Sequence, residues 1–120
     1  MEVGIDIVKI DRIEKIENID GFLNKYFTPN EIKYINSKHN MFETVAGLYA
    51  CKEAILKSLK IGIGNGINLK ELEISHDSNN APIVEIDAKL MSFLIKVNAN
   101  EIKVSISHDG DYAIAIANVF

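Results

Sequence analysis

Two carboxylates and a lysine of this chain are of the types and spacing that could bind a metal ion and a phosphate. Asp6 lies inside the apolar run Gly4-Ile5-Asp6-Ile7-Val8, where a carboxylate is costly unless it is paired, metal-bound or open to water. Glu53 and Lys57 are one helical turn apart, which is also the spacing of an ordinary helical ion pair worth about 0.2–0.5 kcal/mol. Mg²⁺ is usually held by one or two carboxylates, waters and substrate phosphates. If the two segments meet in the fold, Asp6 and Glu53 form a magnesium site, with Lys57 beside the same phosphate.

Lys52 stands where a core helix would not normally place a charge. An ion pair between Glu53 and Lys57 would not explain it, because Lys52 lies in the middle of an apolar stripe. At about 100° per residue, that stripe consists of Val45, Leu48, Ile55 and Leu59.

Glycines follow the same helical segment. Gly62, Gly64 and Gly66 could present backbone N–H groups to a phosphate, but they also fit a simple helix stop and turn. The pattern is not a Walker loop, because no Gly-Lys-Ser/Thr follows, and it is not a dinucleotide fingerprint, because it comes after a helix.

His108 is predicted at a hairpin tip. Because no two histidines have metal-ligand spacing, zinc is not expected.

Arg12 is the only arginine among 13 basic residues, and it is flanked by Lys9 and Lys15. It can be a docking point for carboxylates or phosphates, or a solvated helix charge. With 17 acidic residues the net charge is −4, which argues against a general nucleic-acid binder.

Composition sets the class of protein. The chain of 120 residues is expected to form one domain. Such a domain buries roughly two thirds of its unfolded surface, so self-association would be unsurprising. The single cysteine, Cys51, excludes an internal disulfide and fits a reducing compartment. We find neither a signal-peptide pattern nor an apolar run of the roughly 20 residues that span a bilayer, so we expect a cytoplasmic protein without a membrane partner.

The first part of the chain predicts one strand and two helices. Val3 to Ile10 is predicted as a strand, and Asp11 as the N-cap of a short helix. Thr28-Pro29-Asn30-Glu31 is typical of a helix start with a capping box, and that helix should run to about Ser37. The strand residues that share one face by alternation are Val3, Ile5 and Ile7.

The rest of the chain predicts an α+β fold, an antiparallel sheet packed on one long and several short helices. The order of the main elements, β-α-α-β-β-α-β-β, favours strands paired as hairpins. The small side chains of Ala113, Ala115 and Ala117 would let another element pack closely on the last strand. The elements are a helix from about Met41 to Lys60, strands Glu71–His76 and Ile83–Ile86, a helix Ala88–Val97, a strand from Ile102, a turn His108–Asp111 and a strand Tyr112–Val119.

Four blocks of residues resemble the holo-[acyl-carrier-protein] synthases, the small bacterial class of 4′-phosphopantetheinyl transferases. The resemblance covers the whole chain, in order. The blocks are Gly4-Ile5-Asp6-Ile7-Val8, the helix Tyr49-Ala50-Cys51-Lys52-Glu53-Ala54-Ile55-Leu56-Lys57 with its aromatic-x-x-Lys-Glu-Ala-x-x-Lys signature, Gly62-Ile63-Gly64, and Ser105-Ile106-Ser107-His108-Asp109 followed by Tyr112-Ala113-Ile114-Ala115.

The resemblance implies the 4′-phosphopantetheinyl transferase fold over residues 1–120 and a transferase of fatty acid biosynthesis. Such an enzyme moves 4′-phosphopantetheine from coenzyme A to a serine of apo acyl carrier protein, giving holo acyl carrier protein and adenosine 3′,5′-bisphosphate. It implies that Asp6 and Glu53 bind Mg²⁺ together with the coenzyme A pyrophosphate and water. It implies that Lys57 contacts the phosphate and protonates the leaving group. The serine hydroxyl would attack in line, with Glu53 or a metal-oriented water as the base.

The resemblance also implies contacts with the substrates and between subunits. Arg12 would contact the acidic recognition helix of the carrier protein. A homotrimer is implied, with each active site at a subunit interface. The residues expected to contact coenzyme A are Lys52, Lys57, Gly62, Gly64 and His108.

Two positions depart from the usual pattern of that family. Leu48 stands where many relatives have arginine, which removes a phosphate contact. Asn80-Ala81-Pro82 stands where Gly-Lys-Pro is usual, which we expect to alter mainly the shape of a turn. Two other functions remain as alternatives, a non-catalytic module that binds an acidic protein and a magnesium-dependent nucleotide hydrolase.

Overall fold

The helices and strands follow the predicted order, with one further helix near the N-terminus. They are taken from a computed structural model, which describes residues 1–62 and 65–120. A short 3₁₀ turn, Leu69–Glu71, precedes the second strand. The elements are β1 (Glu2–Lys9), α1 (Ile10–Glu14), α2 (Ile19–Tyr26), α3 (Pro29–Asn36), α4 (Met41–Ser58), β2 (Ile74–His76), β3 (Pro82–Val84), α5 (Ala88–Lys96), β4 (Ile102–Asp109) and β5 (Tyr112–Val119).

The strands form two antiparallel sheets, which confirms the predicted α+β class. The larger sheet has the order β1-β5-β4, and the smaller one is the hairpin of β2 and β3. In the larger sheet Asp6 is paired with Ala115, and Ala115 is paired with Ile106. Asp6 therefore lies on an edge strand, at mid-length.

Small residues allow α4 to lie directly against the inner face of the larger sheet. Ala113, Ala115 and Ala117 of β5 are buried there, as their small size predicts. On β1, a side chain at Gly4 would overlap the Ala54 carbonyl oxygen of α4. Glycine is therefore required at this position because the two backbones approach so closely. This close approach brings the middle of β1 next to the second half of α4.

The outer face of the larger sheet is apolar and exposed. Val3, Ile5 and Ile7 share a face of β1, as the alternation predicts, but this face is turned away from α4. Ile114 and Ile116 of β5 are exposed beside them. On β1 and β5 most of the larger side chains thus point outward, whereas on β4 Ile102 is buried and Ser105 and Ser107 are exposed.

Helix α2 is absent from the sequence prediction. It begins after Asn18, whose side chain accepts a hydrogen bond from the Gly21 N–H at 3.0 Å. The prediction that Asp11 caps α1 is wrong, because the helix begins at Ile10 and its N-cap, Lys9, makes no side-chain capping bond. Asp11 lies in the first turn and forms an ion pair with Lys15 at 2.9 Å.

Several predicted boundaries differ from those of the structure. Helix α4 ends two residues earlier than expected, and Glu71 belongs to the 3₁₀ turn, so β2 begins only at Ile74. Strand β4 continues to Asp109, which places His108 in the strand rather than in the turn. The capping box of Thr28 and Glu31 is confirmed. Within the described ranges, no helix is both long and apolar enough to cross a membrane.

Candidate active site

Asp6 and Lys57 come together where β1 crosses α4. The Lys57 ammonium donates to Asp6 Oδ1 at 3.0 Å and to the Ile5 carbonyl oxygen at 2.9 Å. The Asp6 side chain is 17% exposed, and that of Lys57 is 54% exposed. Among the described residues Lys57 forms no ion pair with Glu53, so the ordinary i,i+4 pair is replaced by a contact with the strand.

Glu53 lies in the same cluster, half-buried, one turn before Lys57. Burial and the negative charge of Asp6 raise the pKa of the Glu53 carboxyl, and the Tyr49 hydroxyl and Lys57 offset part of this rise. Burial and then the charge of Glu53 raise the pKa of Tyr49 to about 12. The two carboxylates are thus close enough to act on each other. The structure brings β1 and α4 together, as is required if Asp6 and Glu53 are to form one metal site.

The donor set of this cluster suits magnesium. It offers two carboxylates, and within the described ranges no group of three or more His, Cys, Asp or Glu residues could hold a metal ion. A cation between Asp6 and Glu53 would therefore need further oxygens from water and substrate. Mg²⁺ is commonly bound in this sparse way, through carboxylates and substrate phosphates.

Lys52 points into the core and is fully buried. Its ammonium donates to Glu31 Oε1 at 2.6 Å, to the Tyr26 carbonyl oxygen at 2.9 Å and to the Leu69 carbonyl oxygen at 3.0 Å. These bonds use all three N–H groups of the ammonium. The predicted contact of Lys52 with coenzyme A finds no support in this environment. The charge in the middle of the apolar stripe is instead explained by a buried ion pair.

Glu31 has a structural role in the core in addition to its part in the capping box. Besides capping α3 and pairing with Lys52, it accepts a hydrogen bond from the Ile74 N–H at 2.9 Å through Oε2. The carboxylate therefore ties α3, α4 and β2 together in the core. Sequence alone suggests only the cap, because Lys52 and Ile74 lie 21 and 43 residues away.

His108 borders a groove of about 340 Å³ between α3, α4 and the β2–β3 turn. Its Nε2 lies 3.0 Å from the Glu43 carbonyl oxygen. Gly47 keeps the groove open at this point, since a side chain there would press on the His108 ring. Leu48 and Asn80, which depart from the usual family pattern, both line this groove. The other lining residues include Tyr34, Lys38, Thr44 and His76.

One wall of this groove is an aromatic stack that the sequence prediction does not contain. The rings of Tyr34 and His76 are parallel, with centroids 3.8 Å apart. The Tyr34 hydroxyl donates to Asn80 Oδ1 at 2.8 Å. Burial and the charge of Lys38 lower the pKa of His76. Asn80 thus fixes a side chain of the groove as well as the shape of its turn.

The remaining predicted residues lie outside these clusters. Arg12 is exposed on α1, and its charge acts on the Tyr49 hydroxyl. Gly62 is exposed after α4, and its carbonyl oxygen accepts from the Asn65 N–H at 3.2 Å. The prediction for Gly64 lies outside the described residues.

Known proteins resemble this chain over nearly its full length. Residues 2–117 match the family described as the 4′-phosphopantetheinyl transferase superfamily. A holo-[acyl-carrier-protein] synthase of Finegoldia magna is 40% identical over 94% of this chain and 90% of its own length. The crystal structure of Helicobacter pylori holo-[acyl-carrier-protein] synthase in complex with coenzyme A has a TM-score of 0.86 and 36% identity, covering 98% of this chain and 99% of that chain. A structure of the Bacillus anthracis enzyme in complex with coenzyme A (3′,5′-ADP) has a TM-score of 0.81 and 29% identity, covering 98% and 94%.

Proposed function

The chain belongs to the 4′-phosphopantetheinyl transferase superfamily, and we propose that it transfers 4′-phosphopantetheine from coenzyme A to a serine of apo acyl carrier protein. The products are holo acyl carrier protein and adenosine 3′,5′-bisphosphate, and the reaction supports fatty acid biosynthesis. The observation that carries this proposal is the nearly full-length match to holo-[acyl-carrier-protein] synthases, one of them solved with coenzyme A.

We assign the metal-binding role to Asp6 and Glu53. Their proximity, at the crossing of β1 and α4, supports this assignment. Bound Mg²⁺ would neutralise charge that develops on the pyrophosphate during transfer. Glu53 is half-buried, so its carboxylate is partly shielded from water. Glu53 and a metal-oriented water remain the two candidate bases for the attacking serine hydroxyl.

Lys57 is the candidate for binding and protonating the leaving phosphate. Its ammonium is half-exposed and adjacent to Asp6, so it can turn toward a substrate without leaving the cluster. A lysine on a flexible stem carries a point charge with three donors, which suits a phosphate oxygen. The proton on its Nζ would pass to the oxygen of 3′,5′-ADP as the phosphorus–oxygen bond breaks.

The groove beside His108 supports the predicted contact with the coenzyme A nucleotide. The groove has a volume of about 340 Å³, Lys38 is among its lining residues, and the Lys38 ammonium lies 4.6 Å from the centroid of the Tyr34 ring. We assign to Lys38 the positive charge that the family resemblance leads us to expect at position 48, where this chain has leucine. Arg12 is exposed on α1 and close enough to Tyr49 for its charge to act on that hydroxyl, which supports its assignment to carrier-protein docking.

We extend the proposal to a homotrimer with each active site at a subunit interface. The support is the outer sheet face, where Ile5, Ile114 and Ile116 are 54%, 38% and 43% exposed. Ile5 and Ile116 are directly paired in register, so their side chains are adjacent. A contiguous apolar surface on a small domain is typical of a protein–protein contact.

Mass spectrometry of the carrier protein tests the proposed reaction. Incubation with coenzyme A, Mg²⁺ and apo acyl carrier protein should add roughly 340 Da to the carrier, the mass of the transferred group. Asp6→Ala and Glu53→Ala should each abolish the gain, whereas Glu101→Ala, a change at an exposed acid far from the cluster, should not. No mass gain with the unchanged protein under varied metal and carrier conditions would refute the proposal.

The two alternative functions predict different results in the same assay. A nucleotide hydrolase would consume coenzyme A without an acceptor protein, and a binding module would hold the carrier without coenzyme A. The comparisons support neither alternative. A cytoplasmic location remains part of the proposal, supported by the single unpaired cysteine, which fits a reducing compartment.

A further inference from the structure

The ammonium of Lys57 is paired with Asp6, a carboxylate that the proposed function assigns to magnesium. Its ammonium contacts Asp6 Oδ1 at 3.0 Å and is anchored by the Ile5 carbonyl oxygen at 2.9 Å. The neighbouring lysine at the end of the helix behaves differently, since Lys60 pairs with Glu2 at 3.0 Å, away from the cluster. Both lysines thus pair with acids of β1, but only Lys57 contacts a residue assigned to the metal site.

We propose that Lys57 is a stand-in cation that competes with the divalent metal for Asp6 until the phosphates of coenzyme A draw the ammonium away. This inference rests on the proposed function, because it concerns the metal site of that reaction. It adds that the free protein binds metal weakly and that metal and coenzyme A enter together.

Electrostatics explains why a stand-in would be needed. Asp6 is only 17% exposed and lies in the same cluster as the half-buried Glu53, so a positive partner stabilises these two acidic groups. An ammonium on Asp6 supplies one. A divalent ion arriving at the same oxygen would meet both an occupied ligand and a like charge at short range, and both effects weaken its binding.

The exchange is feasible because the Lys57 side chain is open to solvent on one side. Its side chain is 54% exposed, and ion pairs of this kind contribute little net stability. A pyrophosphate beside the cluster would offer the ammonium a doubly charged partner within reach of the same helix turn. Metal and coenzyme A should then each tighten the binding of the other by the same factor.

Metal affinity of the free protein tests this inference without any turnover. Mn²⁺ is the probe, with the unbound ion measured by electron paramagnetic resonance in the absence of coenzyme A. Lys57→Met should bind Mn²⁺ roughly three- to tenfold more tightly than the unchanged protein, because a competing charge is removed. Lys60→Met removes the same charge three residues away and should leave the Kd within about twofold. Asp6→Asn should lose binding.

The coupling between ligands gives a second readout. Coenzyme A should tighten Mn²⁺ binding by a larger factor in the unchanged protein than in Lys57→Met, where no ammonium has to be displaced. Lys57→Gln, with its fold checked by circular dichroism, repeats the test with a polar side chain. Equal or weaker Mn²⁺ binding by both Lys57 variants, or none detectable, would overturn the inference. The mass-gain assay is independent of that result, so the transferase activity could stand while the stand-in role fails.

Discussion

Lys52 and Lys57 both lie on α4, five residues apart, but Lys52 is in the core and Lys57 is at the surface. Lys52 is 0% exposed with three bonded partners, and Lys57 is 54% exposed at the edge of a site. A buried ion pair adds little to stability as a pair, but removal of one partner leaves the other charge without compensation. The first lysine is therefore a structural group, and the second is free to take part in chemistry.

Lys52→Met should lower the free energy of unfolding by about 3–5 kcal/mol, because Glu31 would be left buried without its counter-charge. Urea unfolding at neutral pH measures the loss. Lys60→Met, at an exposed position, should change stability by less than about 0.5 kcal/mol. The double variant Lys52→Met with Glu31→Gln should recover part of the loss, since it removes both charges. A loss below about 1 kcal/mol in Lys52→Met would contradict the structural role.

The sequence predicts the members of the candidate site better than it predicts their partners. Asp6 and Lys52 stand out because each interrupts an apolar pattern, and this signal is local. The partner of Lys52 is not visible, because Glu31 already has a complete explanation as a helix cap. The pairing of Asp6 with Lys57 joins residues 51 apart and depends on how β1 lies on α4.

At the scale of elements, helix α2 illustrates what local pattern cannot establish. Ile19, Phe22, Leu23 and Tyr26 have helical spacing, but an isolated helix of eight residues is marginal. Packing supplies the missing stability, since the Phe22 ring lies 5.7 Å from that of Tyr49 and 4.9 Å from that of Tyr26. By contrast, α3 carries its capping box in the sequence, and its start is predicted correctly.

Gly4→Ala should separate the two elements that bring the carboxylates together. The added methyl group would overlap the Ala54 carbonyl oxygen and lie 2.6 Å from the Ser58 backbone nitrogen, so β1 must move away from α4. Overpacking of this kind costs about 1–3 kcal/mol. Thermal unfolding should show this loss, and the rate of phosphopantetheine transfer should fall as Asp6 shifts relative to Glu53.

Lys9→Ala, at the exposed end of the same strand, is the control for this substitution. It should stay within about 0.5 kcal/mol of the unchanged protein and keep its transfer rate. If Gly4→Ala matched this control in both measurements, the close approach of β1 and α4 would not be what positions the site.

At the scale of the whole molecule, β1 and β5 turn most of their larger side chains outward and their small ones toward α4. Alternation predicts which residues share a face, but it does not say which face meets α4. The alanines of β5 decide this, because only small side chains admit a helix at such short distance. The isoleucines are left on the outside, where a single copy of the chain has no partner for them among the described residues.

Ile5→Glu tests whether copies of the chain cover that outer face. Light scattering after gel filtration should give the unchanged protein the mass of three 13.4 kDa chains and give the variant the mass of one. A charge on each of the packed faces would be buried without a partner on assembly, which is strongly unfavourable. Ile95→Glu is the matched control, because Ile95 is 63% exposed on α5, outside the sheet face, and this variant should stay trimeric. Transfer activity should fall with the trimer if each site needs a neighbouring subunit. A monomeric unchanged protein with full activity would refute the assembly and leave the transferase proposal intact.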